Sequence, residues 1–315
     1  RDLVRSRGLG DVYKRQVWKD SKRLKKMSVD LADINIVKSV LARHGFAFSK
    51  SLGQNFLIDS SVCPRMADAA ATDKSCGVLE VGPGIGVLTS ELSKRAKKVV
   101  SVELDKRLLP VLHETLCDCD NVEIVNDDIL KLDLKKLISE KLADCSEVTV
   151  CANLPYYITS PVIMKLLSEQ LPLKKIVVMV QKEAADRFCA EVGGKNSGAV
   201  TVGVNYYADA RLLFPVPRES FIPSPKVDSA VIELTLLDGK RVTPKSEKVF
   251  FNTVKAAFSM RRKTAVNGLS GGLCISKEAA AAAIERAGLS PTVRAEKLSM
   301  EELSRLSDEI GKELK

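Results

Sequence analysis

Between residues 76 and 190 the apolar positions fall into short runs, separated by stretches of helical period. Gly77–Val81, Lys98–Val102, Val122–Val125, Val148–Cys151 and Ile176–Val180 have the length and β-branched content of buried strands. Helices are predicted between them, at Val87–Leu92, Lys106–Leu116, near Pro161–Leu167 and at Glu183–Ala190. This alternation predicts an α/β fold: a mostly parallel sheet with helices on both faces. Ahead of it, Ile34, Val37, Val40 and Leu41 share one helical face that ends at Gly45, and Asp59 is placed to cap a helix carrying Val62, Met66 and Ala70. After it, residues 191–198 read as a loop and Ala199–Tyr207 as either helix or strand. Arg211–Phe214 and Lys226–Leu236 read as strands around the stiff segment Phe221-Ile-Pro-Ser-Pro225. Beyond Asp238-Gly239 only helical patterns remain, at Val249–Phe258, Arg261–Leu269, Lys277–Ala287 and Glu301–Leu314. The expected division is residues 27–238 as an α/β domain and 239–315 as a small helical domain.

Composition adds limits. The 315 residues suffice for a large core, and no apolar run approaches the ~20 residues of a membrane span. With no apolar leader visible, a cytoplasmic location and no membrane partner are expected. The eight cysteines contain no C-x-x-C pair and do not cluster with His44 or His113, so no metal site is expected. The formal net charge is +9, but ten Lys/Arg and three Asp in residues 1–26 supply +7 of it, leaving +2 for the rest. Arg1 to Gln16 has no helical or strand period, and residues 1–26 are expected to be a non-native or disordered basic extension; a basic nucleic-acid-binding arm is the alternative.

The chemistry begins at Glu80-Val-Gly-Pro-Gly-Ile-Gly86, a strand end running into glycines on alternate positions and then a helix. Such a turn lets backbone approach a nucleotide-like ligand, although tight-turn chemistry alone also produces it. Glu103 ends the next strand, 21 positions after Gly82, where doubly wound folds place a carboxylate for ribose hydroxyls. The dinucleotide pattern would want a small residue where Val87 stands. Negative charge at Glu80 is expected to repel a pyrophosphate and to suit the positive end of S-adenosylmethionine. Asp128 and Asn153 follow later strands and should converge on the same sheet edge. Gln54-Asn55 reads either as a capped loop or as a lid whose amides touch the ligand.

Asn153-Leu-Pro-Tyr156 suits methylation of an exocyclic adenine amine. That nitrogen's lone pair is delocalised into the ring, and two acceptors on its N–H bonds would draw it out: the Asn153 side chain and a backbone carbonyl at Leu154. Pro155 interrupts strand pairing and exposes carbonyls. Tyr156 offers a ring for stacking and a quadrupole that favours developing positive charge. The bland alternative is a strand-end turn.

These segments, with Gly53-Gln-Asn-Phe-Leu57, Val102-Glu-Leu-Asp105, Gln181-Lys-Glu183, Phe221-Ile-Pro-Ser-Pro-Lys-Val-Asp-Ser-Ala230, Arg261-Arg-Lys-Thr264 and Arg294-Ala-Glu296, occur in the order found in the small-subunit ribosomal RNA adenine dimethyltransferases. From about residue 45 onward the chain resembles that family. The resemblance implies a class I S-adenosylmethionine-dependent methyltransferase fold, Rossmann-like, with a C-terminal helical RNA-recognition domain. It implies S-adenosyl-L-methionine as cofactor, without a metal. The implied reaction is N6,N6-dimethylation of two adjacent adenosines near the 3′ end of 16S rRNA in the assembling small subunit; a monomer is expected. Carried onto this chain, Asn55, Leu57, Gly82, Glu103, Asp128 and Asn153 would bind the cofactor. Asn153, Leu154 and Pro155 would hold the target amine, and Tyr156 and Phe221 would sandwich the flipped base. Arg261, Arg262 and Lys263, in a stretch with eight Lys/Arg against two acids over residues 238–263, are expected to contact RNA phosphates, with a solvated helix face as the plain alternative. Two rivals remain at this point: a large-subunit rRNA adenine methyltransferase of the antibiotic-resistance type, and a non-catalytic RNA-binding assembly factor.

Overall fold

The computed structural model describes residues 31, 33–46, 55–260 and 262–314. The expectations for residues 1–26, Gln54 and Arg261 lie outside the described residues.

Nine strands are described: β1 (Phe56–Leu57), β2 (Gly77–Val81), β3 (Lys98–Glu103), β4 (Val122–Asn126), β5 (Val148–Asn153), β6 (Lys175–Gln181), β7 (Ala208–Val216), β8 (Phe221–Ile222) and β9 (Ser229–Leu236). Seven form one sheet in the order β4-β3-β2-β5-β6-β9-β7, with β4 through β6 parallel and β9 and β7 antiparallel. From β2 the chain builds outward through β3 and β4, then returns to add β5 on the other side. The switch point therefore lies between β2 and β5, where open α/β sheets bind ligands. All five residues of β2 are buried, as a central strand covered on both faces requires. Successive residues face opposite layers. Leu79 and Val81 join one apolar cluster, while Val78 joins another with Val62, Met66 and Leu88.

The helices run α1 (Ile34–Arg43), α2 (Val62–Ala70), α3 (Val87–Arg95), α4 (Leu109–Thr115), α5 (Leu134–Lys141), α6 (Thr159–Ser168), α7 (Lys182–Phe188), α8 (Ala199–Tyr207), α9 (Glu247–Ala257), α10 (Ala265–Leu273), α11 (Lys277–Arg286) and α12 (Met300–Glu313). Local chemistry sets several ends. Ser246, Ser276 and Ser299 cap α9, α11 and α12, the last through a reciprocal box with Glu302. Asp59 does not cap α2. Its carboxylate accepts from the Ser61 N–H and hydroxyl in a turn just ahead of the helix. The helix expected at Lys106–Leu116 starts as a 3-10 turn capped by Asp105, because Pro110 can only sit in an α-helix's first turn.

The undecided segment Ala199–Tyr207 is a helix. Its β-branched residues argue weakly for a strand, but tertiary packing overrides them. Tyr206 stacks on Phe250 at a centroid distance of 5.2 Å, and Tyr207 lies parallel to Phe251 at 5.8 Å. Through these rings one continuous apolar cluster runs from the sheet into α9–α12. Polar ties cross at the same place, where the Tyr207 hydroxyl donates to Glu247 and Arg241 pairs with Asp209.

Candidate active site

A cavity of about 320 Å³ opens at the carboxyl ends of β2, β3, β4 and β5. Gly82, Glu103, Asp128, Asn153, Leu154, Pro155 and Tyr156 line it, together with Asn55, Leu57 and Phe221. Ten expected cofactor and target-base positions, spread over 167 residues of chain, are thus brought to one place.

The floor is the glycine turn. Gly82, Gly84 and Gly86 have φ of +71°, +60° and +91°, a region that disfavours residues with a Cβ. A Cβ on Gly82 would meet nothing within 4 Å; it would stand in open space beside the cavity. The turn is closed by Gly86 N–H donating to Pro83 O at 2.9 Å, and Gly86 starts α3.

Glu103 is 6% exposed. One carboxylate oxygen accepts from Asp105 N–H at 2.7 Å and the other from Gly84 N–H at 3.4 Å. These bonds aim the group and leave lone pairs for further donors. Burial pushes its pKa up, against the backbone donors. Asp128 is held by Leu130 N–H at 3.0 Å and by Lys131 at 3.4 Å.

Asn153 closes β5 against Met179 of β6. Pro155 then turns the chain in an extended conformation (φ −55°, ψ 132°) into a 3-10 turn, Tyr156–Ile158. The Asn153 carboxamide and the Leu154 carbonyl have no hydrogen-bond partner among the described residues. Two acceptors therefore stand at the cavity wall. Tyr156 is anchored by its hydroxyl, 2.8 Å from Ser229 Oγ on β9, and burial raises its pKa. Phe221 does not project as its proline-rich context suggests. It is 3% exposed and packed in the core, paired with Leu57 across the β1–β8 ribbon, and it meets the cavity as a wall.

Glu80 differs from expectation. Its position in β2 has the parity of Val78, so it points into the helix layer beside Cys63 and Cys151 and is not itself among the residues lining the cavity. It is fully buried, accepts one hydrogen bond from Ser101 Oγ at 2.5 Å, and leaves Oε1 without a partner. Burial pushes its carboxyl up to about 7. It cannot simply be read as a permanent negative charge facing a ligand.

Three exposed apolar residues lining the cavity had no role in the sequence reading: Leu104 (53% exposed), Leu130 (36%) and Tyr157 (55%). Leu104 directly follows Glu103, and Leu130 follows Asp128 by two. An apolar residue beside each of two strand-end acids was the available signal, since polar residues are the norm there.

Arg262 and Lys263 lie far along the chain, between α9 and α10. Both are exposed and have no ion-pair partner among the described residues.

Comparison with known proteins gives a consistent answer. The family described as ribosomal RNA adenine dimethylase matches residues 45–312. The chain is 47% identical over 291 residues to the ribosomal RNA small subunit methyltransferase A of Bacillus pumilus, covering 91% of this chain and all of that protein. It is 48% identical over 287 residues to the protein of the same description in Geobacillus thermodenitrificans, covering 90% and 98%. Among solved structures, a dimethyladenosine transferase from Plasmodium falciparum superposes with TM-score 0.63 at 27% identity, covering 79% of this chain and 95% of that one. The 23S rRNA methyltransferase ErmE superposes with TM-score 0.59 at 26% identity, covering 81% and 99%.

Proposed function

The chain belongs to the ribosomal RNA adenine dimethylase family, and from that premise we propose that its substrate is a pair of adjacent adenosines near the 3′ end of 16S rRNA in the assembling small ribosomal subunit. It is an rRNA adenine dimethyltransferase that uses S-adenosylmethionine, on a class I methyltransferase fold. The identities of 47–48% to small-subunit enzymes, against 26% to the 23S enzyme ErmE, support the small-subunit reading over the large-subunit one. A cytoplasmic monomer, with residues 27–238 carrying the transfer and 239–315 the RNA recognition, completes the proposal. Arg262 and Lys263 are its phosphate contacts.

The cavity fits the cofactor. At Gly82 the turn leaves open space where a Cβ would stand, and a buried carboxylate with spare lone pairs lies at the next strand end. Asn55, Leu57 and Gly82 would flank the cofactor, Glu103 would accept its ribose hydroxyls, and Asp128 its adenine amine. Leu104 and Leu130 would cover the apolar faces of that adenine. When bound, S-adenosylmethionine supplies an electrophilic methyl group.

The residues of the chain supply orientation and electrostatics. Tyr156 would stack on the target base against the wall that Phe221 forms, and the base must leave its stack to enter. Asn153 Oδ1 and the Leu154 carbonyl accept the two N6–H bonds. With both hydrogens held, the nitrogen lone pair is freed from ring conjugation. Positive charge would then pass from the cofactor's sulfonium to N6 as the new C–N bond forms and the methyl–sulfur bond breaks, leaving a neutral thioether, with N6 stabilised by the two acceptor dipoles and the Tyr156 ring. The cationic amine is a strong acid and releases its proton without a dedicated base.

The observation that carries this reading is the pairing of two unengaged acceptors, Asn153 and Leu154, with aromatic walls at the switch point of the sheet. The test is methyl transfer from labelled S-adenosylmethionine to undermethylated small subunits, undermethylated large subunits and naked RNA, followed by nucleoside mass spectrometry. N6,N6-dimethyladenosine on the small subunit is expected. Asn153→Ala should lower kcat by on the order of 100-fold, with cofactor affinity changed much less. Product confined to the large subunit would move the protein to the resistance class. RNA binding without product would leave an assembly factor.

A further inference from the structure

Tyr157 is the one exposed aromatic side chain among the described residues. It lines the mouth of the cavity and makes no hydrogen bond, ion pair or ring contact with another described residue. Its neighbour Tyr156 is the opposite: half-buried, and fixed through its hydroxyl to Ser229. Both sit on one 3-10 turn, closed by Ile158 N–H donating to Pro155 O at 3.1 Å. Consecutive side chains on such a turn diverge by about 120°. One ring therefore meets the cavity wall and the next is displayed at its rim, on a backbone that the hydrogen-bonded turn holds in place.

This ring stands at the rim of the cavity that the proposed target base would enter. We propose that Tyr157 stacks the base of the nucleotide adjoining the target adenosine. This rests on the reading of the substrate as adjacent adenosines. Flipping one base out strips its neighbour of a stacking partner, and the neighbour is tethered one phosphodiester from the cavity mouth. A ring at the rim replaces the lost stack. Tyr157 acts on positioning; it touches neither the transferring methyl nor the attacked amine.

The test uses the full chain as wild type, Tyr157→Ala and Tyr157→Phe. Substrates are undermethylated small subunits reconstituted with 16S rRNA carrying either both adenosines or one adenosine beside an abasic nucleotide. Tyr157→Ala should lower kcat/KM on the natural substrate by about tenfold, and Tyr157→Phe should leave it near wild type, since a ring and not a hydroxyl is required. The abasic neighbour should cost the wild type a similar factor and should cost Tyr157→Ala almost nothing more, because each change removes the same stack. S-adenosylmethionine affinity, measured by calorimetry, should be equal in all three proteins.

Multiplicative losses from the two changes would overturn the proposal, as would a Tyr157→Ala enzyme with wild-type kcat/KM. A matching fall in cofactor affinity would also overturn it, by assigning the ring to the cofactor. If the wild type fails to methylate the small subunit at all, the substrate reading has failed, and the proposal falls with it.

Discussion

Glu80 is a buried carboxyl whose only hydrogen bond comes from Ser101, and its folded pKa is about 7 against an ordinary 4.5. The folded state holds its proton between these values while the unfolded state has released it. Stability from this group is therefore greatest below about pH 4.5 and is lost as pH rises toward 7, by roughly 3 kcal/mol at most. Glu80→Gln removes the titration. Thr89 Oγ1, buried beside the carboxyl and without a hydrogen-bond partner, is available to accept from the new amide. The variant should melt higher than wild type at pH 8, with the gap closing toward pH 5 in calorimetric scans. A uniform drop at every pH would mean that the carboxyl shape, and not its charge, matters there. At this scale the sequence was most informative at strand ends. Glu103, Asp128, Asn153 and Tyr156 were legible because each follows a short apolar run, and parallel strands bring their carboxyl ends together. Tyr157, Leu104 and Leu130 were not, because exposure depends on what other segments leave uncovered. Glu80 was misread because proximity in sequence to the glycine turn says nothing about strand parity.

Helix α10 shows where element boundaries escape a local pattern. The period predicts a helix over Arg261–Leu269, yet the helix runs Ala265–Leu273 through Gly268, Gly271 and Gly272. Glycines ordinarily punctuate, so a purely local reading stops short of them. Two of these have a packing reason. A Cβ on Gly268 would lie 2.6 Å from Ala256 O and 2.8 Å from Ala257 O, and one on Gly272 would lie 2.6 Å from Ala256 Cβ. The backbone of α10 thus rides directly on α9. Gly271 faces only the flexible tip of Met260, at 3.5 Å. The two positions should respond with opposite signs. Helix propensity gives alanine about 1 kcal/mol over glycine, while overpacking against backbone costs about 1–3 kcal/mol. Gly268→Ala should therefore lose up to about 2 kcal/mol in urea unfolding, and Gly271→Ala should be neutral or gain up to about 1 kcal/mol. Equal effects would show that α9 and α10 do not approach this closely. By contrast, strands β2, β3 and β5 were predicted to within two residues, since a fully buried strand has no alternative environment to accommodate.

For the whole molecule the question is how a protein with a formal charge of +9 recognises RNA when +7 of it sits in residues 1–26. Over residues 238–263 the structure sorts cations that composition counts alike. Lys240 is paired with Glu247, and Arg241 with Asp209, at the junction between the sheet and the helical region. Lys245, Lys248, Lys255, Arg262 and Lys263 are exposed and have no ion-pair partner among the described residues. A charge already neutralised by a carboxylate releases few counterions on binding a phosphate, whereas an unpaired one contributes about 0.7–0.9 to the slope of log K against log salt. The double variant Arg262→Gln with Lys263→Gln should thus flatten that slope for small-subunit binding by about 1.5. Its kcat at saturating substrate should stay unchanged if, as proposed, these residues contact phosphates, since phosphate contacts position the RNA and do not meet the amine. Lys240→Gln with Arg241→Gln should leave the slope nearly intact and lower the unfolding midpoint instead, because those side chains tie α8 and β7 to the chain leading into α9. An unchanged slope in the first pair would remove Arg262 and Lys263 from the interface. A flattened slope in the second would mean that the junction itself opens to RNA, so that the two regions recognise the subunit as one surface.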